Sequence, residues 1–79
     1  MVILQTVILH MGLFNTVPEM NNSYLEMTSM TQCLKAIDQI KGGYDYQVVK
    51  DTPTDYLVSY NNEMFLGKQS FNHRCFKVD

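Results

Sequence analysis

Residues 29–41 read Ser-Met-Thr-Gln-Cys-Leu-Lys-Ala-Ile-Asp-Gln-Ile-Lys and carry the signals of an amphipathic helix along their whole length. Ser29 can act as the N-cap, and Gln32 stands three residues later, where a capping box places Glu or Gln. Lys41 complements the negative end of the helix dipole, and Gly42 can take the left-handed conformation that ends a helix. Apolar side chains recur at helical spacing on one side of the segment, at Met30, Cys33, Leu34, Ile37 and Ile40. We therefore predict one helix with this apolar stripe turned toward the core.

The sequence on either side of the helix is typical of strands. Residues 2–11 are rich in β-branched side chains and almost continuously apolar, which predicts a strand in the interior of a sheet. Residues 23–27 are predicted as a short strand leading into the helix, although the Ser-Tyr-Leu-Glu that starts at Ser23 is also a capping-box pattern and could begin the helix earlier. Further strands are predicted after the helix, at residues 44–49, 56–60, 63–66 and 71–78.

Turn-forming residues separate these strands. Residues 13–22 contain a proline and an Asn-Asn pair, which indicates a loop or the tip of a hairpin, and Pro53 indicates a turn over residues 51–55. A second Asn-Asn pair, residues 61–62, suits a tight hairpin turn. The order of elements predicts an α+β fold, with a mostly antiparallel sheet of four to five strands and one amphipathic helix packed on one face.

The length and composition predict a single domain over residues 1–79. A chain this short buries only about 60% of its unfolded surface, so homodimerisation or a disulfide would be a natural supplement to its stability. The net charge of −2 argues against a nucleic-acid binder, for which a basic domain is expected. Residues 2–9 lack a basic start and a cleavage site and are too short to cross a bilayer. We therefore expect no membrane association and a cytoplasmic location.

The two cysteines leave the redox state open. Cys33 lies on the apolar stripe of the predicted helix and Cys75 in the last predicted strand, so the two could meet in the core. As a disulfide, a loop of this length contributes about 4 kcal/mol to stability. Two buried free thiols are the preferred interpretation, because without an export signal the expected compartment is reducing.

No side-chain pattern indicates a reaction centre. Cys33, Cys75, His10 and His73 are the candidate ligands for a soft metal ion, but none has the close pair spacing of a zinc site. The carboxylates of the turn at residues 51–55 are typical of capping and solubility residues. The sequence also lacks a glycine-rich phosphate loop ahead of a helix. We therefore expect no metal, no cofactor and no enzymatic activity.

The hairpin that follows the helix carries four tyrosines, Tyr44, Tyr46, Tyr56 and Tyr60. If strand pairing brings them to one face, they either pack under the helix or form an exposed aromatic patch. Tyrosine is a preferred interface residue because it offers a large contact area at little entropic cost. The neighbouring acids, Asp45, Asp51 and Asp55, disfavour the stacking of single-stranded nucleic acid, which needs basic residues around it. We predict that these tyrosines and acids form a surface that binds a partner protein.

Three motifs, read together with the apolar opening strand, resemble small uncharacterised proteins of tailed bacteriophages. They are Gly-Leu-Phe at residues 12–14, Ser-Met-x-x-Cys-Leu-x-Ala-x-x-x-Ile-Lys at residues 29–41, and Cys-Phe at residues 75–76. The resemblance implies a protein that binds and inhibits a host protein, for example one of the restriction, CRISPR or transcription machinery. It implies no catalytic residues, and the stretch over residues 43–70 is longer than in the shortest such proteins.

The leading hypothesis is therefore a phage-type binding protein that inhibits or modulates a host protein of the defence or nucleic-acid machinery by direct contact in the host cytoplasm. Two alternatives stay open. One is a structural or assembly protein, a homodimer or larger homo-oligomer that joins sheets edge to edge through an exposed strand. The other is an exported module stapled by a disulfide between Cys33 and Cys75.

Overall fold

The computed structural model describes residues 1–12, 19–64 and 67–78. In this part of the chain one helix accompanies a five-stranded antiparallel sheet, in the order β2-β1-β5-β4-β3. The elements are β1 (Val2–Gly12), β2 (Glu19–Met27), α1 (Met30–Lys41), β3 (Tyr46–Thr52), β4 (Asp55–Met64) and β5 (Gly67–Lys77). The predicted α+β class and antiparallel sheet are confirmed.

The helix begins and ends where the sequence predicts. The Ser29 hydroxyl accepts a hydrogen bond from the backbone N–H of Gln32 at 3.2 Å, which satisfies one of the unpaired amides of the first turn. The Gln32 side chain accepts a hydrogen bond from the Thr28 hydroxyl, which lies just ahead of the cap. Gly42 ends the helix with a positive φ of 52°, a conformation that costs glycine little.

The buried stripe of the helix is narrower than the sequence indicates. Cys33, Ile37 and Lys41 are the buried residues of α1. Leu34 and Ile40 were predicted on this stripe, but they are 38% and 47% exposed. Burial is thus confined to the i, i+4 row through Cys33, Ile37 and Lys41, and the flanking positions of the stripe remain partly exposed.

Two strands after the helix are longer than predicted, because β4 and β5 stay paired to their ends. The tight turn predicted at residues 61–62 is wrong: Asn61 lies opposite Ser70 and Asn62 opposite Gln69 within the β4–β5 ladder. The Ser70 hydroxyl donates to the Asn61 side-chain oxygen at 2.8 Å, so the polar side chain finds a cross-strand partner instead of a turn. The separate strand predicted at residues 63–66 is likewise wrong for residues 63–64, which belong to β4, while residues 65–66 lie outside the described residues.

The predictions for strands β1 and β2 agree better with the structure. Strand β1 is interior, as predicted, since it pairs with both β2 and β5. The strand predicted at residues 23–27 is confirmed and extends back to Glu19, so the alternative of a helix beginning at Ser23 is wrong. Residues 13–18 of the predicted loop lie outside the described residues.

Strand pairing assigns the side chains to two faces of the sheet, because successive residues of a strand alternate and opposed residues share a side. The Cys75 face carries Leu4, Thr6 and Ile8 of β1, Tyr56, Val58 and Tyr60 of β4, and Phe71, His73 and Cys75 of β5. The Arg74 face carries Ile3, Gln5 and Val7 of β1, Asp55, Leu57 and Ser59 of β4, and Asn72, Arg74 and Phe76 of β5.

The hydrophobic core contains side chains of both the helix and the sheet. Its buried members are Val2, Leu4, Cys33, Ile37, Val58 and Cys75. A disulfide links Cys33 of α1 to Cys75 of β5, so the preferred interpretation of two free thiols is wrong. Both half-cystines are fully buried. The bond ties the helix covalently to the central strand at the middle of the core.

Candidate contact surface at the tyrosine-bearing edge

The four tyrosines divide into an inner pair, which is buried or half-buried, and an exposed pair. Tyr60 is only 4% exposed, and the half-buried Tyr56 packs against the core. Tyr44 and Tyr46 are 43% and 45% exposed. The sequence left core packing and an exposed patch as alternatives. Tyr56 and Tyr60 lie inside the fold, whereas Tyr44 and Tyr46 are exposed. The difference follows from position, since Tyr46 lies on the edge strand β3 and is opposed to Tyr60 on its inner neighbour β4.

Tyr44 is held in place by stacking. Its ring lies 5.1 Å from that of Tyr60, with 14° between the two planes, and Tyr60 stacks in turn on Phe71 at 4.9 Å. Parallel, offset rings at these distances are an attractive arrangement for aromatic side chains. Because Tyr60 and Phe71 belong to the inner strands β4 and β5, the half-exposed ring of Tyr44 stacks on side chains of the sheet interior.

Tyr46 is held by a cation at the end of the helix. The Lys41 ammonium nitrogen lies 3.4 Å from the centre of the Tyr46 ring and 3.3 Å from Asp38 Oδ1. The interaction with Tyr46, and after it the pairing with Asp38, raises the pKa of Lys41. The lysine therefore stays charged and bridges the last turn of α1 to β3.

A buried histidine fixes the base of the stack. His73 is 1% exposed, and its Nδ1 lies 3.0 Å from the Thr6 hydroxyl while its Nε2 lies 2.8 Å from the Tyr60 hydroxyl. Each hydroxyl can donate or accept, so a neutral imidazole is satisfied in either tautomer. Burial lowers the pKa of His73 and raises that of Tyr60. These two contacts position the Tyr60 ring.

The exposed tyrosines continue into an apolar edge with acids at its ends. Val48 is 47% exposed and shares the Cys75 face with Tyr46, because these residues oppose Val58 and Tyr60. Asp45 and Asp51 are exposed near the two ends of β3. We call this surface the tyrosine patch and define it as Tyr44, Asp45, Tyr46, Val48 and Asp51.

Asp55 lies apart from the tyrosine patch, on the Arg74 face. Asp55 is 7% exposed. Its carboxylate accepts two hydrogen bonds from Arg74, and Lys50 Nζ lies 2.9 Å from Asp55 Oδ2. The Arg74 guanidinium, and to a smaller extent the Lys50 ammonium, lowers the pKa of Asp55 well below its usual range. The side chain is committed to an internal ion pair, so the prediction that Asp55 joins the tyrosines in one surface is not supported by its position.

The Arg74 face also bears a shallow groove of about 240 Å³, lined by Gln5, Val7, Leu57, Asn72 and Arg74. The arginine in its floor is already neutralised by Asp55 through two hydrogen bonds of 2.8 and 2.7 Å. The remaining lining is neutral, so the groove offers no concentrated charge to a ligand.

The structure brings few chemically reactive groups together. Within the described ranges, no group of three His, Cys, Asp or Glu side chains is placed to hold a metal ion. Cys33 and Cys75 are used in the disulfide, and His73 in the buried trio with Thr6 and Tyr60. No sequence signal indicates that Lys41 contacts Tyr46 or that Thr6 contacts His73, because both contacts depend on which strands and helix turns become neighbours.

The chain matches no protein-family model, no curated protein and no solved structure. In the part of the chain that the structure describes, no helix has the length and apolar character needed to cross a membrane.

Proposed function

We propose that this chain is a binding protein that acts on a partner protein by direct contact through the tyrosine patch. The observation that carries the proposal is the fixed orientation of two half-exposed tyrosines at one edge of the sheet, Tyr44 by stacking on Tyr60 and Tyr46 by the Lys41 ammonium. Aromatic side chains that are already ordered before binding lose little entropy in a complex. They are also the residue class that dominates the energy of protein interfaces.

The partner is proposed from the charge of the patch and from the resemblance to tailed-phage proteins. Asp45 and Asp51 flank the aromatic and aliphatic centre, and the whole chain carries a net charge of −2. Such a surface suits an apolar pocket with a basic rim, and it disfavours nucleic acid as the direct ligand. The resemblance supports a host protein of the defence or nucleic-acid machinery that is inhibited or modulated by the contact. No chemistry by this chain is part of the proposal.

The helix supports this function by stabilising the sheet behind the patch. We infer that α1 packs on the Cys75 face over Leu4 and Cys75, since Cys33 and Ile37 share one buried cluster with these residues. Its last turn then supplies Lys41 to Tyr46, so the orientation of the tyrosine depends on the docking of the helix.

The resemblance and the disulfide favour different compartments. The resemblance supports the host cytoplasm, whereas a disulfide persists best in an oxidising compartment, which favours the exported alternative. Trapping thiols with an alkylating reagent before lysis distinguishes the two. Alkylated Cys33 and Cys75 support the cytoplasm, and unmodified, disulfide-bonded cysteines support export.

Affinity capture with matched variants tests the proposal. A tagged chain is used to capture proteins from bacterial lysate, and the recovered proteins are quantified by mass spectrometry. We expect one dominant host protein, and we expect its recovery to fall about tenfold or more in the Tyr44→Ala, Tyr46→Ala double variant. Tyr24→Ala is the control, because Tyr24 is 62% exposed on β2 at the opposite edge of the sheet. Equal loss in the control, or recovery of the bait alone, overturns the proposal.

A further inference from the structure

The outer edge of β2 is long, regular and uncovered. Its nine residues pair with β1 in an unbroken register from Val2↔Met27 to His10↔Glu19. Every residue of β2 from Glu19 to Glu26 is exposed. The strand forms one end of the sheet order, so one side of its backbone has no neighbouring strand among the described residues. An edge of this kind presents a row of unpaired N–H and C=O groups to any strand that can align with it.

The opposite edge, β3, carries two features that oppose strand addition. Its register shifts between Val48 and Lys50, which marks a bulge at Val49. Lys50 places a positive charge beside the bulge, where it pairs with Asp55. Bulges and edge lysines are devices by which proteins block edge-to-edge pairing. Strand β2 contains neither of these features, since Glu19–Met27 has a continuous register and no Lys, Arg or Pro. Among the described residues, β2 is therefore the edge strand that lacks such a blocking feature.

The side chains of β2 add an apolar component to this edge. Met20, Tyr24 and Leu25 are 64%, 62% and 60% exposed, which places them among the most exposed large apolar residues of the described chain. Tyr24 is ordered on the Arg74 face by hydrogen bonds from Gln5 at 3.2 Å and from Asn22 at 3.4 Å. Exposed apolar side chains beside an open backbone edge are typical of a surface that is covered in the functional state.

We propose that β2 pairs antiparallel with β2 of a second copy of this chain, which creates a continuous ten-stranded sheet. Two identical antiparallel edge strands are related by a twofold axis normal to the sheet, and such an axis requires one residue to lie opposite its own copy. Ser23 is the middle residue of Glu19–Met27, so centring the axis there pairs the whole strand. The backbone then gains about eight to ten hydrogen bonds between the copies.

The sequence of β2 fits this register. Glu19 lies opposite Met27 and Glu26 opposite Met20, so neither carboxylate faces another across the interface. Asn21 lies opposite Leu25 on the Cys75 face. The blocked β3 edges remain at the two ends of the assembly, so pairing stops at the dimer and does not continue into a fibre.

This self-association goes beyond the proposed function and does not depend on it. The tyrosine patch lies at the β3 end of each copy, so the dimer leaves two patches free at opposite ends of the joined sheet. Because purified protein alone is needed to test the dimer, its failure would leave the capture experiment on the tyrosine patch unaffected.

A charge-swap experiment tests both the pairing and its register. Sedimentation equilibrium from low micromolar to millimolar concentration is expected to show a monomer–dimer equilibrium for the natural chain. Asn21→Lys combined with Leu25→Lys places two like-charge pairs across the interface and is expected to weaken the dimer about tenfold. Asn21→Lys combined with Leu25→Glu creates two opposite-charge pairs in the same register and is expected to restore it. Circular dichroism checks that both variants are folded.

Cross-linking provides the second measurement. With Ser23→Cys, the new thiols of the two copies lie directly opposite each other and are expected to form an interchain disulfide under mild oxidation. With Asn21→Cys, the thiols are about 13 Å apart along the strand and are expected to stay unlinked. A monomer at every concentration, a dimer that resists the Lys–Lys pair, or a preferred cross-link at position 21 overturns the proposal.

Discussion

Arg74 donates two parallel hydrogen bonds to the carboxylate of Asp55, from Nε to Oδ1 at 2.8 Å and from Nη2 to Oδ2 at 2.7 Å. The arginine also lies over the Phe76 ring, 4.5 Å from its centre, and Lys50 approaches the same carboxylate from β3. This cluster of three charged side chains thus connects strands β5, β4 and β3 on the face opposite the disulfide.

Asp55→Asn is expected to lower the free energy of unfolding by about 1–2 kcal/mol, because it removes charge-assisted hydrogen bonds from a buried site. Chemical denaturation measures the change. Asp51→Asn is the control, since Asp51 is exposed on β3, and it is expected to change stability by less than about 0.5 kcal/mol. Equal effects of the two substitutions would contradict the account of this ion pair.

Breaking the disulfide is expected to be more costly. Cys33→Ala with Cys75→Ala, or reduction of the natural chain, removes a crosslink between residues 42 apart in sequence, which contributes about 4 kcal/mol by its effect on the unfolded chain. The measurement is denaturant unfolding with and without a reducing agent. A midpoint that does not move on complete reduction, verified by thiol titration, would show that the helix is held without the bond.

The buried His73 predicts a pH dependence near neutrality. Burial lowers its pKa in the folded state, so between that value and the ordinary value of 6.5 the unfolded chain binds more protons. The contribution of neutral His73 to the free energy of unfolding is therefore fully present above about pH 6.5, and it falls as the pH is lowered below that value. Unfolding curves between about pH 8 and about pH 5 measure the slope.

His73→Gln provides the matched comparison for this slope. It removes the titrating group and is expected to flatten the pH dependence in this window, although overall stability drops. The Asp55 contribution is lost only as the pH falls below the ordinary carboxyl value of 3.8, so the two groups act in separate windows. An unchanged slope in His73→Gln would show that another group is responsible.

Gly67 is expected to tolerate no side chain. A Cβ at this position would overlap the Met11 carbonyl oxygen and lie 3.1 Å from the Gly12 Cα, both backbone atoms of the neighbouring strand β1. Gly67→Ala is therefore expected to cost about 1–3 kcal/mol in thermal or chemical unfolding. Gly43→Ala meets nothing within 4 Å and is expected to be near neutral. A neutral Gly67→Ala would contradict the pairing of Gly67 with Gly12.

The sequence predicted the parts of the fold that depend on local signals. The N-cap at Ser29, the stop at Gly42 and the apolar strand β1 all follow from residues within a few positions of one another. The prediction of a turn at Asn61-Asn62 was wrong, because asparagine pairs occur in turns and also inside strands, where a cross-strand residue such as Ser70 can be their partner.

The candidate surface was only half predictable. Tyr46 and Tyr60 are both tyrosines, and both alternate with polar residues along their strands. Tyr46 is exposed and Tyr60 is buried, because β3 is an edge strand and β4 is not. Strand order sets this difference, and it depends on pairing between distant segments. The redox state of Cys33 and Cys75 depends on the same long-range geometry, since a disulfide needs two Cβ atoms brought within bonding reach.

The central claim, that the tyrosine patch binds a host protein, is tested most directly by photo-crosslinking in bacterial cells. A benzophenone-bearing phenylalanine replaces Tyr46 in one variant and Tyr24 in another, both positions being well exposed. We expect an adduct with one host protein at position 46, and at position 24 no adduct other than one with a second copy of the chain. A host adduct at position 24 with none at position 46 would contradict binding through the tyrosine patch.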